Sequence, residues 1–188
     1  MSRAGLTAER LTEGAAELAD EIGFDNVTVT ALARRFGVRD ASLYSHVKNA
    51  QELRTRVAAL ALSELADRVA AALAGRAGRD ALAAFADAYR AYAKQHPGRY
   101  AALRIPLDPT GPAADAARRH SELTRALLRE YRLAEDDETD AVRMLHGFCH
   151  GYVSLEKSGG FDHHPRHVDD SWARSVAALD GLLRNWPA

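Results

Sequence analysis

Residues 27–49 read VTVTALARRFGVRDASLYSHVKN, and the fold turns on this stretch. Val29, Leu32, Ala33 and Phe36 recur at i, i+3, i+4 and i+7, the spacing of one helical face, and the Thr28 hydroxyl ahead of them can accept an orphan backbone N–H as an N-cap. Gly37 ends that helix. Leu43 and Val47 lie one turn apart, so Asp40 to Val47 reads as a third short helix beyond a turn at Gly37-Val38. Upstream, Leu11, Ala15, Leu18, Ala19 and Ile22 mark the apolar face of a helix from about Thr7 to Ile22, stopped by Gly23. Three short helices with this turn form the layout of a helix-turn-helix, whose last helix enters the DNA major groove.

With Leu32, Phe36, Leu43 and Val47 packed inward, the third helix turns Arg39, Asp40, Ser42, Ser45 and His46 outward, and Ala41 is small enough for close approach. These are the candidate base-reading positions. Thr28 and Thr30 open the preceding helix, where hydroxyls and free N–H groups can take a phosphate oxygen. Tyr44 and Lys48 lie at the flank and can fix register on the DNA backbone. A net charge of -1 argues against a nucleic-acid binder only if charge is spread evenly. It is not: between Arg34 and Arg56 stand Arg34, Arg35, Arg39, Lys48, Arg54 and Arg56 against only Asp40 and Glu52.

Working outward, Asn49 and Glu52 make a capping-box-like pair that opens a long fourth helix toward Leu73. Gly75 and Gly78 punctuate the chain. Leu82, Phe85, Ala86, Tyr89 and Tyr92 then keep a helical period until His96-Pro97-Gly98 breaks it, and Pro106, Pro109 and Pro112 predict an irregular connection. A helix from about Ala113 to Tyr131 follows. Another begins with an acidic first turn, Glu135 to Glu138, which suits the positive end of a helix dipole, and runs to Ser158. After Gly159-Gly160 and a His-rich loop, Trp172, Val176, Leu179, Leu183 and Trp186 stripe a last helix.

The whole is an all-α expectation, in keeping with 47% hydrophobic but only 7% aromatic residues over 188 positions and few period-2 runs. Residues 1–53 read as a helix-turn-helix DNA-binding domain with its motif at about 28–47. The fourth helix joins it to residues 54–188, a helical ligand-binding and dimerisation domain. The single Cys149, the lack of a signal-peptide pattern and the absence of a run of roughly 20 apolar residues predict a cytoplasmic protein, nucleoid-associated when bound to DNA, with no membrane partner.

The strings Val27-Thr28-Val29-Thr30-Ala31-Leu32-Ala33-Arg34-Arg35-Phe36-Gly37-Val38 and Ala41-Ser42-Leu43-Tyr44-Ser45-His46-Val47-Lys48-Asn49 resemble the DNA-binding signature of the TetR/AcrR family of transcriptional regulators. The resemblance implies DNA contacts from Thr28, Thr30, Arg39, Asp40, Ala41, Ser42, Tyr44, Ser45, His46 and Lys48. Two positions depart from the family pattern. Ala50 stands where a Lys is usual, leaving a phosphate contact to Lys48, Arg54 or Arg56; Arg39 stands where a capping Ser is usual, leaving the cap to Asp40.

Farther on, Leu145-His146-Gly147-Phe148, Gly151 to Glu156, Gly159-Gly160-Phe161 and Asp170-Ser171-Trp172 resemble the C-terminal domain with a Trp-His-Gly motif found in a subset of that family, with Leu145 in place of the Trp. This implies a homodimer whose last two long helices pair with their symmetry mates. Apolar residues on more than one face of those helices agree, and Met144, Gly147, Gly151, Leu155, Trp172, Val176, Leu179 and Leu183 are the interface candidates. Tyr89, Tyr92, Tyr100, Leu103, His120, Leu123, Leu127 and Phe148 are candidates to line a pocket for a partly hydrophobic effector.

The expected function is a repressor that binds a palindromic operator as a dimer and is released by a small molecule, with no cofactor, resident metal or catalytic residue. Two alternatives stand beside it: a helical protein-interaction module, and a metal-responsive regulator using His146 and His150 at i, i+4 with His163, His164 and His167. Catalysis by Cys149 is disfavoured, since His150 next to it in a helix points about 100° away.

Overall fold

The computed structural model describes residues 6–108, 110–111 and 113–187, and the irregular connection expected at Pro109 and Pro112 lies outside the described residues. Nine α-helices carry the described chain: α1 Ala8–Ile22, α2 Val29–Phe36, α3 Asp40–Leu43, α4 Ala50–Leu73, α5 Gly78–Gln95, α6 Pro97–Ala102, α7 Ala114–Leu128, α8 Glu135–Lys157 and α9 Val168–Arg184. Short 3-10 turns at Phe24–Asn26 and Arg129–Tyr131 complete it. The described residues include no strand and no helix long and apolar enough to cross a membrane.

Local chemistry explains most of the boundaries. Thr7 caps α1 by accepting the Arg10 N–H at 3.2 Å, and Thr28 caps α2 by accepting the Ala31 N–H at 3.1 Å. Gly37 closes α2 in the left-handed region (φ 65°), which lets the Val38 N–H reach the Ala33 carbonyl at 3.0 Å. At the start of α4, Asn49 Oδ1 accepts the Glu52 N–H at 2.8 Å, while the Glu52 carboxylate reaches back to the Lys48 N–H at 2.5 Å. That backbone bond, followed by Arg56, holds the Glu52 carboxyl below its usual range.

Two expectations need correction. The third helix is shorter than Asp40 to Val47, because α3 stops at Leu43. The Ser45 hydroxyl donates to the Ser42 carbonyl at 2.9 Å, and the His46 N–H turns instead to Leu43 O at 2.9 Å, tightening the next turn. The second is an omission: His96-Pro97-Gly98 breaks α5 as expected, but it also at once starts a short helix, α6, with Pro97 in its first turn where a missing N–H costs nothing.

The chain divides into two compact units, Met1–Glu64 with Tyr92–Arg118, and Leu65–Ala91 with Arg119–Ala188. The first has a core of Leu11, Ala15, Ala19, Val27, Leu32, Leu43, Val47, Leu53 and Val57, each almost fully buried. Burying one such Leu stabilises by roughly 1.5–3 kcal/mol. Within the same unit α6 presses on α1: a Cβ added at Gly98 would sit 1.9 Å from the Ala19 carbonyl oxygen, so only glycine permits this approach. The second unit is organised by apolar stripes on α5, α8 and α9, including Leu82, Phe85, Tyr89, Leu145, Val153, Trp172, Val176 and Leu183.

Candidate functional site

In the first unit, α2 and α3 meet around the Gly37 turn with Leu32, Leu43 and Val47 buried beneath them. That burial orients everything else. Thr28, Thr30, Arg39, Ala41, Ser42, Tyr44, Ser45 and Lys48 are exposed, and Asp40 and His46 are half-buried. Tyr44 is 55% exposed, a large aromatic left on the surface that the local core does not use. The ten positions thus occupy one continuous stretch of chain on and beside α2 and α3.

Internal pairing modifies the roles expected of several of them. Asp40 does not cap α3; its Oδ2 accepts the Thr30 hydroxyl at 2.5 Å, and Arg39 at the cap position makes no side-chain capping bond. The basic excess is also partly engaged within the protein. Arg35 pairs with Glu17 (2.6 Å) and Glu21 (2.8 Å) on α1. Arg54 donates to the carbonyls of Asp25 (2.5 Å) and Val27 (3.3 Å), and Arg56 pairs with Glu52 (2.7 Å). Of the three substitutes for the family's lysine at Ala50, this leaves Lys48. Within the stretch from Arg34 to Arg56, Arg34, Arg39 and Lys48 are the cations for which the described residues show no ion pair.

The same unit holds a polar junction that no local pattern of residues announces. Asp20 of α1 accepts the backbone N–H groups of Gly98 and Arg99 at 2.9 Å each, capping α6 from another helix. Its second oxygen lies 3.1 Å from His96 Nδ1 and 3.1 Å from Arg99 Nε. The latter contact is an ion pair without hydrogen-bond alignment. Glu64 of α4 takes the Arg99 guanidinium at 2.9 Å and the Tyr92 hydroxyl at 2.8 Å. Burial, then Glu64, pushes the Tyr92 hydroxyl well above the usual phenol range.

In the second unit, the effector candidates separate. Tyr89 and His120 come together, sharing a hydrogen bond of 2.5 Å between the hydroxyl and Nε2. Leu123 and Leu127 line a cavity of about 250 Å³ with Leu73, Ala81 and Ala126. Phe148 points elsewhere, stacking on Trp172 with ring centres 5.3 Å apart and touching Tyr152 at 5.6 Å. Tyr92, Tyr100 and Leu103 belong to the first unit, Tyr92 and Tyr100 buried and Leu103 half-buried.

The interface candidates separate as well. On α8, Gly147 and Gly151 face open space and Leu155 is 50% exposed, with Met144 half-buried. On α9, however, Trp172, Val176 and Leu183 are buried in their own chain, and Trp172 Nε1 donates to Asp87 at 2.7 Å. Their stripe is the inward one, with Leu179 half-buried beside it. The large apolar side chain that α9 leaves exposed is Leu182, at 44%.

Among the described residues no group of three or more His, Cys, Asp or Glu side chains is arranged to hold a metal, and His163, His164 and His167 are exposed. Cys149 is buried, and burial pushes its thiol up to about 12, which leaves no thiolate near neutral pH.

An all-α body preceded by a helix-turn-helix with an exposed reading face defines a DNA-binding regulator. Comparison with known proteins narrows the class. Residues 11–57 match the family model of bacterial regulatory proteins, tetR family, and residues 82–179 match the tetracyclin repressor-like C-terminal domain. An HTH-type transcriptional regulator of Mycobacterium tuberculosis, itself uncharacterized, is 37% identical over 161 residues, covering 85% of this chain and 74% of that protein. A second uncharacterized regulator, from Bacillus subtilis, is 29% identical over 97% of this chain and 96% of its own length. The fold is shared with a TetR variant from Acinetobacter baumannii solved in complex with minocycline (TM-score 0.73, 22% identity, 98% of this chain and 100% of that one). The chain belongs to the TetR family and is a DNA-binding transcriptional regulator.

Proposed function

We propose that this chain is a repressor that binds a palindromic operator as a homodimer in the cytoplasm and leaves it when a small molecule occupies its C-terminal body. The observation that carries the reading is the exposed face of α2 and α3, where Tyr44, Ser42, Ser45 and Ala41 stand over a buried Leu32-Leu43-Val47 floor. Residues 1–53 provide this face and residues 54–188 the dimerisation and effector functions. Arg39, Asp40, Ala41, Ser42, Ser45 and His46 meet base edges; Thr28, Thr30, Tyr44 and Lys48 hold the DNA backbone. A single short helix offers little contact, so two copies read two half-sites one helical turn apart. The open faces at Gly147, Gly151 and Leu155 on α8 and at Leu182 on α9 support pairing through these helices.

Release is a population shift: an effector that favours one conformation of the body moves the two reading faces out of register with successive major grooves. The effector reading is supported by the minocycline held by the A. baumannii relative of the same fold. The test is selection of the purified protein against a random duplex library at near-physiological salt. Enrichment of a palindrome that is lost with Tyr44→Ala is expected; a folded dimer that enriches nothing even at low salt overturns the reading in favour of an interaction module.

A further inference from the structure

Residues 158–167 connect α8 to α9 and carry the histidines that stand out in the sequence beyond Gly159-Gly160. The connection is held by its own turns. Gly159 takes a left-handed φ of 75°, the Gly160 N–H reaches the Leu155 carbonyl at 2.8 Å, and the Asp162 N–H returns to the Gly159 carbonyl at 3.1 Å. Beside these turns, within the second unit, lies a cavity of about 230 Å³. Tyr152 of α8, Phe161, His163, His164 and Arg166 of the connection, and Ser171 of α9 line it.

The lining has an aromatic part and a cationic part. Tyr152 and Phe161 meet with ring centres 4.7 Å apart, and Trp172 backs Tyr152 edge-on at 4.9 Å. The Tyr152 hydroxyl donates to the Val168 carbonyl at 3.1 Å, so that ring is anchored at both ends and Phe161 stays half-buried against it. Arg166 supplies a permanent cation. Its backbone N–H donates to His164 Nδ1 at 3.1 Å, which places the His164 proton on Nε2 and leaves that N–H as a donor. Among the described residues no carboxylate pairs with His163, His164 or Arg166. The acids nearest in sequence, Asp162, Asp169 and Asp170, do not line the cavity; Asp162 is folded back over Gly159, and Asp169 takes Arg90 at 2.6 Å. An unpaired guanidinium repels a metal ion, so these histidines do not suit one, whereas the same three cationic or donor groups suit an anion.

We propose that this cavity between α8, α9 and their connection binds a single-ring aromatic carboxylate. Arg166 takes the carboxylate, His164 Nε2 and the Ser171 hydroxyl add donors, and the ring packs on Phe161 and Tyr152. Size sets the class of ligand as much as charge does. Sites for drug-sized molecules run to about 300–1,000 Å³, and a smaller one suits one ring rather than a fused system. The site is distinct from the effector reading above and stands whether or not its occupant releases DNA.

The probe is benzoate, titrated calorimetrically into the full chain beside benzamide, which keeps the ring without the charge, and acetate, which keeps the charge without the ring. Benzoate is expected to saturate one site per chain, with benzamide and acetate each weaker by about tenfold or more, the worth of a charge-assisted hydrogen bond or of the buried ring. Arg166→Gln alters an exposed side chain, so it should keep the wild-type melting curve and weaken benzoate by about tenfold or more. Should that variant melt early, backbone amide shifts of the wild type on adding benzoate decide, and they are expected to centre on residues 161–171. No saturable benzoate binding up to about 10 mM, equal binding of benzamide or of acetate, undiminished binding in a folded Arg166→Gln, or shifts centred elsewhere each overturn the proposal. Operator selection uses no small molecule, so the regulator reading stands or falls separately.

Discussion

Replacing Asp20 with Ala tests whether α6 is held by a cap from another helix. α6 has six residues, too few to be stable alone, and the side chain of its own cap residue His96 makes no capping bond to it. Asp20 therefore satisfies two of its first N–H groups, Gly98 and Arg99, both at 2.9 Å, and places a negative charge at the positive end of its dipole. Loss of an N-cap costs about 1 kcal/mol, and leaving a second buried N–H unmet adds roughly 1–2 kcal/mol. Glu64 still balances Arg99, so no buried cation is stranded. The expected total is about 2–3 kcal/mol, read as a fall of about 1 M in the urea midpoint at unchanged m and fixed protomer concentration. Asp20→Asn keeps an acceptor for the two N–H groups but not the charge facing His96 and Arg99, and should lose about half as much. If Asp20→Ala stays within about 0.5 kcal/mol of wild type, or the Asn variant falls as far as the Ala variant, capping is not what fixes α6.

Two other predictions follow from the charges. With Arg34, Arg39 and Lys48 as the cations of the reading region not engaged in ion pairs among the described residues, a dimer brings six to the phosphates, so log K against log salt should slope no more steeply than about -5; a slope near about -10 would mean that Arg35, Arg54 and Arg56 abandon their internal partners on DNA. Stability should fall as pH drops from about 6.5 toward 4, because unfolded histidines bind protons there that His120 and His146 refuse, by about 2 kcal/mol per imidazole at pH 5. Urea midpoints at pH 7 and pH 5 measure this, and a His146→Gln variant with undiminished acid sensitivity would contradict it.

What was legible in the sequence was local. Thr28 and Gly37 bracket α2 because a cap hydroxyl and a left-handed residue act within a few positions of the backbone they serve. The Asn49 cap on α4 is legible for the same reason, although Glu52 turned out to reach Lys48. What was not legible depends on distant partners. Asp20 meets α6 76 to 79 residues along the chain, and nothing in the string Leu18 to Ile22 marks one acid among several as a cap. Likewise Trp172, Val176 and Leu183 form a clean apolar stripe, and periodicity alone cannot say whether such a stripe faces its own core or a partner. Phe148 is a candidate pocket residue beside His120, yet two residues along α8 from His146 its side chain is about 200° round the helix and meets Trp172 instead.

The pairing of Thr30 with Asp40 bears on how such a surface discriminates among DNA sequences. A hydroxyl has one proton, so while Thr30 donates to Asp40 Oδ2 it cannot donate to a phosphate, and the backbone contact proposed for it passes to the N–H groups at the N-terminus of α2. The bond also fixes the carboxylate at the first turn of α3, with the other oxygen left as an acceptor. In the major groove an acceptor of this kind suits the exocyclic amino group of cytosine and is repelled by guanine and thymine oxygens. A carboxylate near phosphates weakens binding to every sequence alike, whereas a cytosine at the right position recovers the loss at that site alone. On the proposed reading, with few unpaired cations near it and a fixed acid on α3, this surface forgoes general affinity for DNA and relies on base contact and the doubling of half-sites to stay on an operator.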